Sequence, residues 1–199
     1  MNVPVGSATA TYEERRSKFI SFAVYLEHPD DVKRLNRERR SESPGCNHVV
    51  WAFVWGADGE RFGSNDDHEP KGSAGRPALD VLRGSGLTNT LVQIVRYFGG
   101  TKLGIGGLVR AYAEATRRVL DVLQREPLVV RMPFHVSVAY KWYQPMQTIL
   151  AGCGALIQST DFGTVVDVSG AVAEDEIAAL KVRIDDLTNG TAIFDVTEH

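Results

Sequence analysis

Cysteine is scarce in this chain of 199 residues, which contains only Cys46 and Cys153. Two cysteines are too few for a disulfide-stabilised scaffold or for a zinc site built from four thiolates. Long apolar segments are also missing, because no run approaches the roughly 20 residues that cross a bilayer as a helix. The N-terminal residues lack the basic and apolar stretches that are typical of a signal peptide. We therefore expect a cytoplasmic protein that has no membrane partner.

A strong charge of one sign is absent as well. The formal net charge is −3 at pH 7, and 43% of the residues are hydrophobic while 24% are charged, a balance that excludes disordered, collagen-like and coiled-coil chains. Residues 1–126 contain 18 basic and 16 acidic residues (net +2), whereas residues 127–199 contain 4 and 9 (net −5). This asymmetry predicts two domains, 1–126 and 127–199, that face different partners.

Strands and helices alternate in the first of these domains. A near-continuous apolar run at residues 48–56 indicates a buried strand. Apolar residues recur every three or four positions from Leu108 to Leu123, which predicts a helix that packs on a sheet. The predicted strands are 17–27, 48–56, 60–64 and 90–98, and the predicted helices are 29–40, 75–82 and 108–123.

The second domain shows the order strand, helix, strand, strand, helix, strand. Its predicted strands are 128–139, 155–162, 164–172 and 191–197, and its predicted helices lie within 142–151 and 174–187. This order is the split βαβ plan of ferredoxin-like folds.

A dense group of ionisable side chains lies in the segment NDDHEPKGSAGRP at residues 65–77. Asp66, Asp67 and Glu69 supply carboxylates around His68, and such a group is able to bind a hard cation or to transfer protons. The alternative is that these side chains accept hydrogen bonds from the backbone or pair with nearby arginines. The spacing matches neither an EF-hand nor a two-histidine zinc helix.

A glycine-rich loop precedes the long helix of the first domain. Gly99, Gly100, Gly104 and Gly107 allow a ligand to approach the backbone closely, and Lys102 beside the helix N-terminus suits a phosphate group. The loop has neither the Walker A pattern nor the dinucleotide-binding pattern. A backbone phosphate of a nucleic acid is therefore the favoured ligand, because it needs no dedicated pocket.

Four basic residues around this loop, Arg76, Arg96, Lys102 and Arg110, are predicted to contact RNA or another partner. Neighbouring aromatic side chains offer surfaces on which bases stack. The alternative for Arg110 is an ordinary pair with Glu114, which lies four residues later on the same helix.

Four segments together resemble the IMPACT family, which includes the bacterial YigZ-type proteins. They are RSKFI at 16–20, HVVWAF at 48–53, NDDHEPKGSAGRP at 65–77 and IVRYFGGTKLGIGGLVRAY at 94–112. Two positions depart from the family pattern, since Val50 stands where cysteine is frequent and His68 stands where glycine is usual. Histidine is among the non-glycine residues that tolerate a positive φ angle best, so we expect position 68 to accept it.

The resemblance implies an α+β fold with two domains. Domain 1–126 would be similar to domain IV of elongation factor G, a ribosomal-protein-like βα sandwich. Domain 127–199 would be similar to the ferredoxin-like domain V of the same factor. Eukaryotic relatives act in translational control, so the resemblance also implies contact with RNA, the ribosome or a translation-associated protein.

We therefore expect a non-enzymatic protein that binds RNA, the ribosome or a translation-associated protein through its first domain and uses no cofactor. One alternative is a metal-dependent, hydrolase-like enzyme that uses the acidic segment from Asp66 to Glu69. The other is a protein-interaction module without affinity for RNA.

Overall fold

The computed structural model describes residues 1–196, which form two compact units. The first unit comprises Met1–Leu128 and the second begins at Val129, whereas the charge distribution predicts a division between residues 126 and 127. Each unit combines helices with an antiparallel sheet. The predicted α+β class with two domains is confirmed.

A five-stranded antiparallel sheet forms the centre of the first unit. The strands of this unit are β1 (Asn2–Pro4), β2 (Ser7–Glu14), β3 (Ser17–Tyr25), β4 (His48–Trp55), β5 (Arg61–Asn65), β6 (Thr90–Tyr97) and β7 (Arg125–Pro127), and its helices are α1 (Val32–Ser41), α2 (Gly75–Gly84) and α3 (Ile105–Val122). The strand order in the central sheet is β2-β3-β6-β4-β5. The central strand β6 is buried from Thr90 to Arg96 because helices cover both faces of the sheet.

The two faces of the sheet contact different helices. Phe19, Ile94 and other alternate strand residues pack against α2 and α3, and Leu91 packs on the opposite face with Val32 of α1. This division follows from the period of two along a strand, which sends neighbouring side chains to opposite faces. A 3₁₀ turn precedes α1, so the α-helix begins at Val32 rather than at the predicted residue 29.

Three strands lie outside the elements predicted from the sequence. β2 alternates between exposed and half-buried residues of low hydrophobicity, and its place beside β3 is set by pairing that runs from Ser7 to Glu14. β1 and β7 are three residues long, each ends in a proline, and they form a two-stranded antiparallel sheet with each other. Strands of three residues are too short to be recognised in the sequence, since an alternation of apolar and polar residues becomes evident only over four or more positions.

The second unit has the predicted ferredoxin-like arrangement. Its elements are β8 (Arg131–Val138), α4 (Tyr140–Gly152), β9 (Leu156–Phe162), β10 (Val166–Ala173), α5 (Ile177–Thr188) and β11 (Ile193–Val196), and its sheet has the order β11-β8-β10-β9. The last predicted strand extends to Thr197, which lies outside the described residues. Within residues 1–196, no helix combines the length and the apolar character needed to cross a membrane.

Candidate functional site

The acidic segment and the glycine-rich loop meet beside the ends of the two central strands. The register of the sheet places His48, the first residue of β4, opposite Arg96 near the end of β6. The acidic segment follows β5 and the glycine-rich loop follows β6, so both motifs leave the sheet in the same region. Sheet pairing therefore joins two segments that lie about thirty positions apart in the sequence.

Asp66 holds the start of α2. Its carboxylate accepts hydrogen bonds from the backbone N–H groups of Gly72 (2.7 Å), Ala74 (3.1 Å) and Gly75 (2.8 Å). These bonds satisfy donors at the helix start that have no partner inside the helix, and the negative charge interacts favourably with the helix dipole. The role of Asp66 is thus to fix the conformation of the loop.

Asp67 and His68 turn the chain in the left-handed region of backbone space. Their φ angles are +46° and +67°, so position 68 requires the positive φ for which glycine would be usual. The Asp67 carboxylate accepts hydrogen bonds from the backbone N–H of Val49 and from the guanidinium of Arg40. His68 is exposed to solvent. The segment therefore attaches to β4 through Asp67.

Glu69 is the buried member of the acidic segment. One of its carboxylate oxygens, Oε1, accepts hydrogen bonds from Arg96 Nη1 at 2.6 Å and from the Tyr112 hydroxyl at 2.7 Å. The same oxygen lies 3.7 Å from His48 Nε2. Arg96 is 5% exposed and Tyr112 is fully buried, so this ion pair is almost completely removed from water.

Glu69 favours the protonated form of the neighbouring Tyr112. Burial, followed by the adjacent Glu69 charge and the hydrogen bond to it, raises the pKa of Tyr112 well above its usual value of 10.0. The phenol therefore stays protonated and donates to the carboxylate. His48 Nδ1 lies 2.8 Å from the carbonyl oxygen of Asp67 and must donate there, because a carbonyl oxygen only accepts.

The glycine-rich loop contacts β3 and then enters α3. A side chain at Gly99 would place its Cβ 2.0 Å from the backbone carbon of Arg16, so only glycine fits at that contact. Gly104 precedes α3 with φ 71° and ψ 164°, a conformation that is essentially restricted to glycine. These two positions determine the path of the loop, and Lys102 between them is exposed.

A cavity of about 480 Å³, here called the loop cavity, lies between the two motifs. It is lined by Glu69 and Pro70 of the acidic segment, by Lys102–Ile105 of the glycine-rich loop and α3, and by Asn47, His48, Arg96, Phe98 and Leu108. The two motifs of the first unit thus share one concave surface.

A second cavity of about 560 Å³, here called the arginine cavity, adjoins the first. Leu103 lines both cavities. The charged residues around the arginine cavity are Arg15, Arg110, Arg117, Arg118, Glu14 and Glu114, which have a net charge of +2. Arg117 and Arg118 pair with Glu114, and the hydrogen bond from Arg118 is the main cause of a lowered pKa of that carboxyl.

The four basic residues singled out in the sequence occupy three different environments. Lys102 lines the loop cavity and Arg110 lines the arginine cavity, and both are exposed. Arg110 forms no pair with Glu114, whose partners are Arg117 and Arg118. Arg76 is exposed on α2 and pairs with Asp80, and Arg96 lies in the interior with Glu69. Gly100 and Gly107 belong to the same loop and helix start as Lys102.

The acidic residues do not converge on a common point. In residues 1–196, no group of three or more histidine, cysteine or carboxylate side chains has the geometry to hold a metal ion. Asp66 contacts backbone N–H groups, Asp67 contacts β4 and Arg40, and Glu69 contacts Arg96 and Tyr112. This arrangement corresponds to the second interpretation of the segment, in which carboxylates satisfy backbone donors and arginines.

Comparison with known proteins identifies the family of both units. The model of the Impact N-terminal domain matches residues 15–120, which is more than half of the chain, and a domain of unknown function, DUF1949, matches residues 136–191. The chain belongs to the IMPACT family. The predicted relationship to this family, including its YigZ-type members, is confirmed.

Individual relatives of this IMPACT family chain match over nearly the full length. An IMPACT family member of Haemophilus influenzae is 30% identical, with 98% of this chain and 96% of the relative covered. The family member YigZ of Escherichia coli is 29% identical, with 95% and 94% covered. A solved crystal structure of a hypothetical protein is 28% identical and superposes with a TM-score of 0.75 over 100% of this chain and 97% of that one.

Two contributors to the buried cluster of the IMPACT domain were not among the site residues predicted from the sequence. His48 and Tyr112 both lie in the family segments, but they are 21 and 43 positions away from Glu69. The sequence contains one indication of the contact made by Tyr112. This residue belongs to the apolar stripe of α3, and the hydroxyl of a buried tyrosine needs a hydrogen-bond partner. No local pattern indicates which acceptor it reaches.

Proposed function

We propose that this IMPACT family protein binds RNA of the translation apparatus through the glycine-rich loop and the start of α3, without catalysing a reaction. The observation that carries the proposal is the pair of exposed cations Lys102 and Arg110 beside two adjoining cavities. In the described part of the chain, neither side chain forms a salt bridge or a side-chain hydrogen bond. Both charges are therefore available to phosphate groups.

The backbone around these cations supports the same ligand. The N–H groups of Ile105, Gly106 and Gly107 lie in the first turn of α3, where helical hydrogen bonding leaves donors unpaired. The helix dipole adds a partial positive charge at this end. Gly106 and Gly107 carry no side chains that would shield these donors, so a phosphate oxygen is able to approach them.

Membership of the IMPACT family connects the proposed RNA binding with translation. The resemblance to the IMPACT family implies a role in translation, because its eukaryotic relatives act in translational control, and the Impact N-terminal domain that matches residues 15–120 contains both Lys102 and Arg110. The acidic segment favours a binding protein over a hydrolase, because each of its three carboxylates already accepts a hydrogen bond from a group of the protein. A cation would have to displace these contacts in order to bind there.

The test is sedimentation of the purified protein with ribosomes and with bulk RNA across a series of salt concentrations. We expect salt-dependent co-sedimentation, and we expect the double variant Lys102→Ala/Arg110→Ala to bind more weakly. Removing two phosphate contacts to single-stranded RNA reduces the slope of log K against log[salt] by about 1.4.

The matched control is Lys33→Ala/Arg37→Ala. These two residues are also one lysine and one arginine, they are exposed, and they lie on α1, which covers the opposite face of the sheet. The control should bind as tightly as the unaltered protein. Equal binding by the Lys102/Arg110 variant would exclude this surface, and no co-sedimentation at low salt would exclude RNA binding. Capture of a protein partner that survives nuclease treatment would instead support an interaction module.

A further inference from the structure

The loop cavity has the size and the mixed lining of a site for a small organic group. Its volume of about 480 Å³ falls in the range of known ligand pockets, roughly 300 to 1,000 Å³. Phe98, Ile105 and Leu108 supply apolar surface to the lining, and Lys102 and Arg96 supply charged groups. A ligand that fits this lining combines an anionic part with an apolar, planar part.

Arg96 lines the loop cavity as a fixed part of the fold. The side chain is 5% exposed, its Nη1 donates to Glu69, and its Nη2 donates to Ser17 Oγ at 3.4 Å. Its Nε has no hydrogen-bond partner among residues 1–196 and is itself buried, so a ligand in the cavity does not reach this atom. Arg96 therefore shapes the cavity without offering a free donor to a ligand.

Phe98 presents an aromatic face at the same cavity. Its side chain is 45% exposed although phenylalanine is usually buried, and the Arg96 guanidinium lies 5.7 Å from its ring centre. The backbone N–H of Phe98 donates to Asn47 Oδ1 at 2.7 Å, which holds the residue in place. Ile105, at 65% exposure, adds a second apolar surface. An exposed ring that is held in position is suited to stacking with a base.

The charges around the loop cavity favour a phosphate group near Lys102. Glu69 is neutralised by Arg96, and Lys102 is then the one lysine or arginine of the cavity lining that has no partner within residues 1–196. Lys102 and the first N–H groups of α3 lie in the same short segment, so both are able to contact one phosphate. The aromatic face of Phe98 and the phosphate site therefore border a single cavity.

We infer that the loop cavity receives one unstacked nucleotide of single-stranded RNA. Its phosphate contacts Lys102 and the start of α3, and its base stacks on Phe98. This inference rests on the proposed RNA binding and adds that a base, rather than the phosphate backbone alone, contributes to affinity.

The test measures binding of two labelled oligomers of equal length, an oligouridylate and an abasic oligomer with the same backbone charge. The proteins are the unaltered chain, Phe98→Leu and Phe98→Trp. Phe62→Leu is the matched control, because Phe62 is also an exposed ring (47%) with an arginine over it, Arg83, and it does not line the cavity. Thermal unfolding of each variant checks its folding.

We expect the unaltered protein to bind the oligouridylate at least 5-fold more tightly than the abasic oligomer, the lower end of a base–aromatic stacking effect. Phe98→Leu should remove this preference, while Phe98→Trp and Phe62→Leu should keep it. Equal affinity of the unaltered protein for the two oligomers would overturn the nucleotide site and leave phosphate binding intact, and this comparison needs no variant. Failure to bind either oligomer at low salt would overturn the proposed function as well.

Discussion

Arg96 donates a hydrogen bond of 2.6 Å to Glu69 in the interior of the first unit, and this ion pair joins the central strand to the acidic segment. Arg96 lies on the central strand β6, whereas Glu69 lies in the acidic segment that leads into α2. Tyr112 of α3 donates to the same carboxylate oxygen. A single buried oxygen therefore connects the sheet, the acidic segment and the long helix.

Removing the Glu69 carboxylate should destabilise the protein strongly. Glu69→Ala leaves the Arg96 charge buried without a partner, and breaking a buried pair in this way costs about 3 to 5 kcal/mol of the free energy of unfolding. Urea denaturation measures the change. The control is Glu13→Ala, since Glu13 is exposed and forms no salt bridge within residues 1–196. If Glu69→Ala and Glu13→Ala lower the free energy of unfolding by similarly small amounts, the pair of Arg96 and Glu69 contributes little to stability.

Tyr112 should make stability depend on pH in the alkaline range. Its pKa is raised in the folded state, so above the unfolded value of about 10 the unfolded chain releases a proton that the folded chain retains. The stabilisation is complete below pH 10 and is lost as the pH rises through the folded pKa. Tyr112→Phe removes this pH-dependent contribution to stability, together with the hydrogen bond to Glu69. Urea denaturation of both proteins between pH 8 and pH 11 measures this contribution. We expect the difference in the free energy of unfolding between the unaltered protein and Tyr112→Phe to narrow as the pH rises. A difference that stays constant would contradict this prediction.

Asp66 should contribute through the start of α2. Asp66→Ala leaves three backbone N–H groups without their acceptor, and we expect a loss of about 2 kcal/mol in the free energy of unfolding. Asp80→Ala is the control on the same helix, because it removes only an exposed pair with Arg76 and should change stability by about 0.5 kcal/mol or less. Chemical denaturation distinguishes the two, and equal losses would exclude a capping role for Asp66.

Gly99 should tolerate no side chain, in contrast to Gly84. The Cβ of Gly99→Ala would overlap backbone atoms of Arg16, so we expect a loss of about 1 to 3 kcal/mol. Gly84 ends α2 with open space around it, and Gly84→Ala should leave stability unchanged or raise it by up to about 1 kcal/mol. Melting temperatures of the two variants give the comparison, and a melting temperature of Gly99→Ala at or above that of the unaltered protein would contradict the close contact.

The sequence predicted the locally encoded part of the fold. The helices and strands with long apolar periods lie close to their predicted positions, as α3 and β4 show. The order of elements in the second unit predicted its ferredoxin-like plan, because that plan is specified by the succession of elements. The motif segments indicated the family, which the match to residues 15–120 confirms.

Only the tertiary structure decided how the motifs act together. The sequence grouped Arg96 with Lys102 as surface cations, yet one is buried with Glu69 and the other is exposed at the loop cavity. Local patterns report the period of a segment, but a contact between residues 27 or 43 positions apart depends on strand register and helix packing. The sequence by itself therefore determined the elements and the family, and the pairing of His48 with Arg96 across the sheet determined where the charged side chains meet.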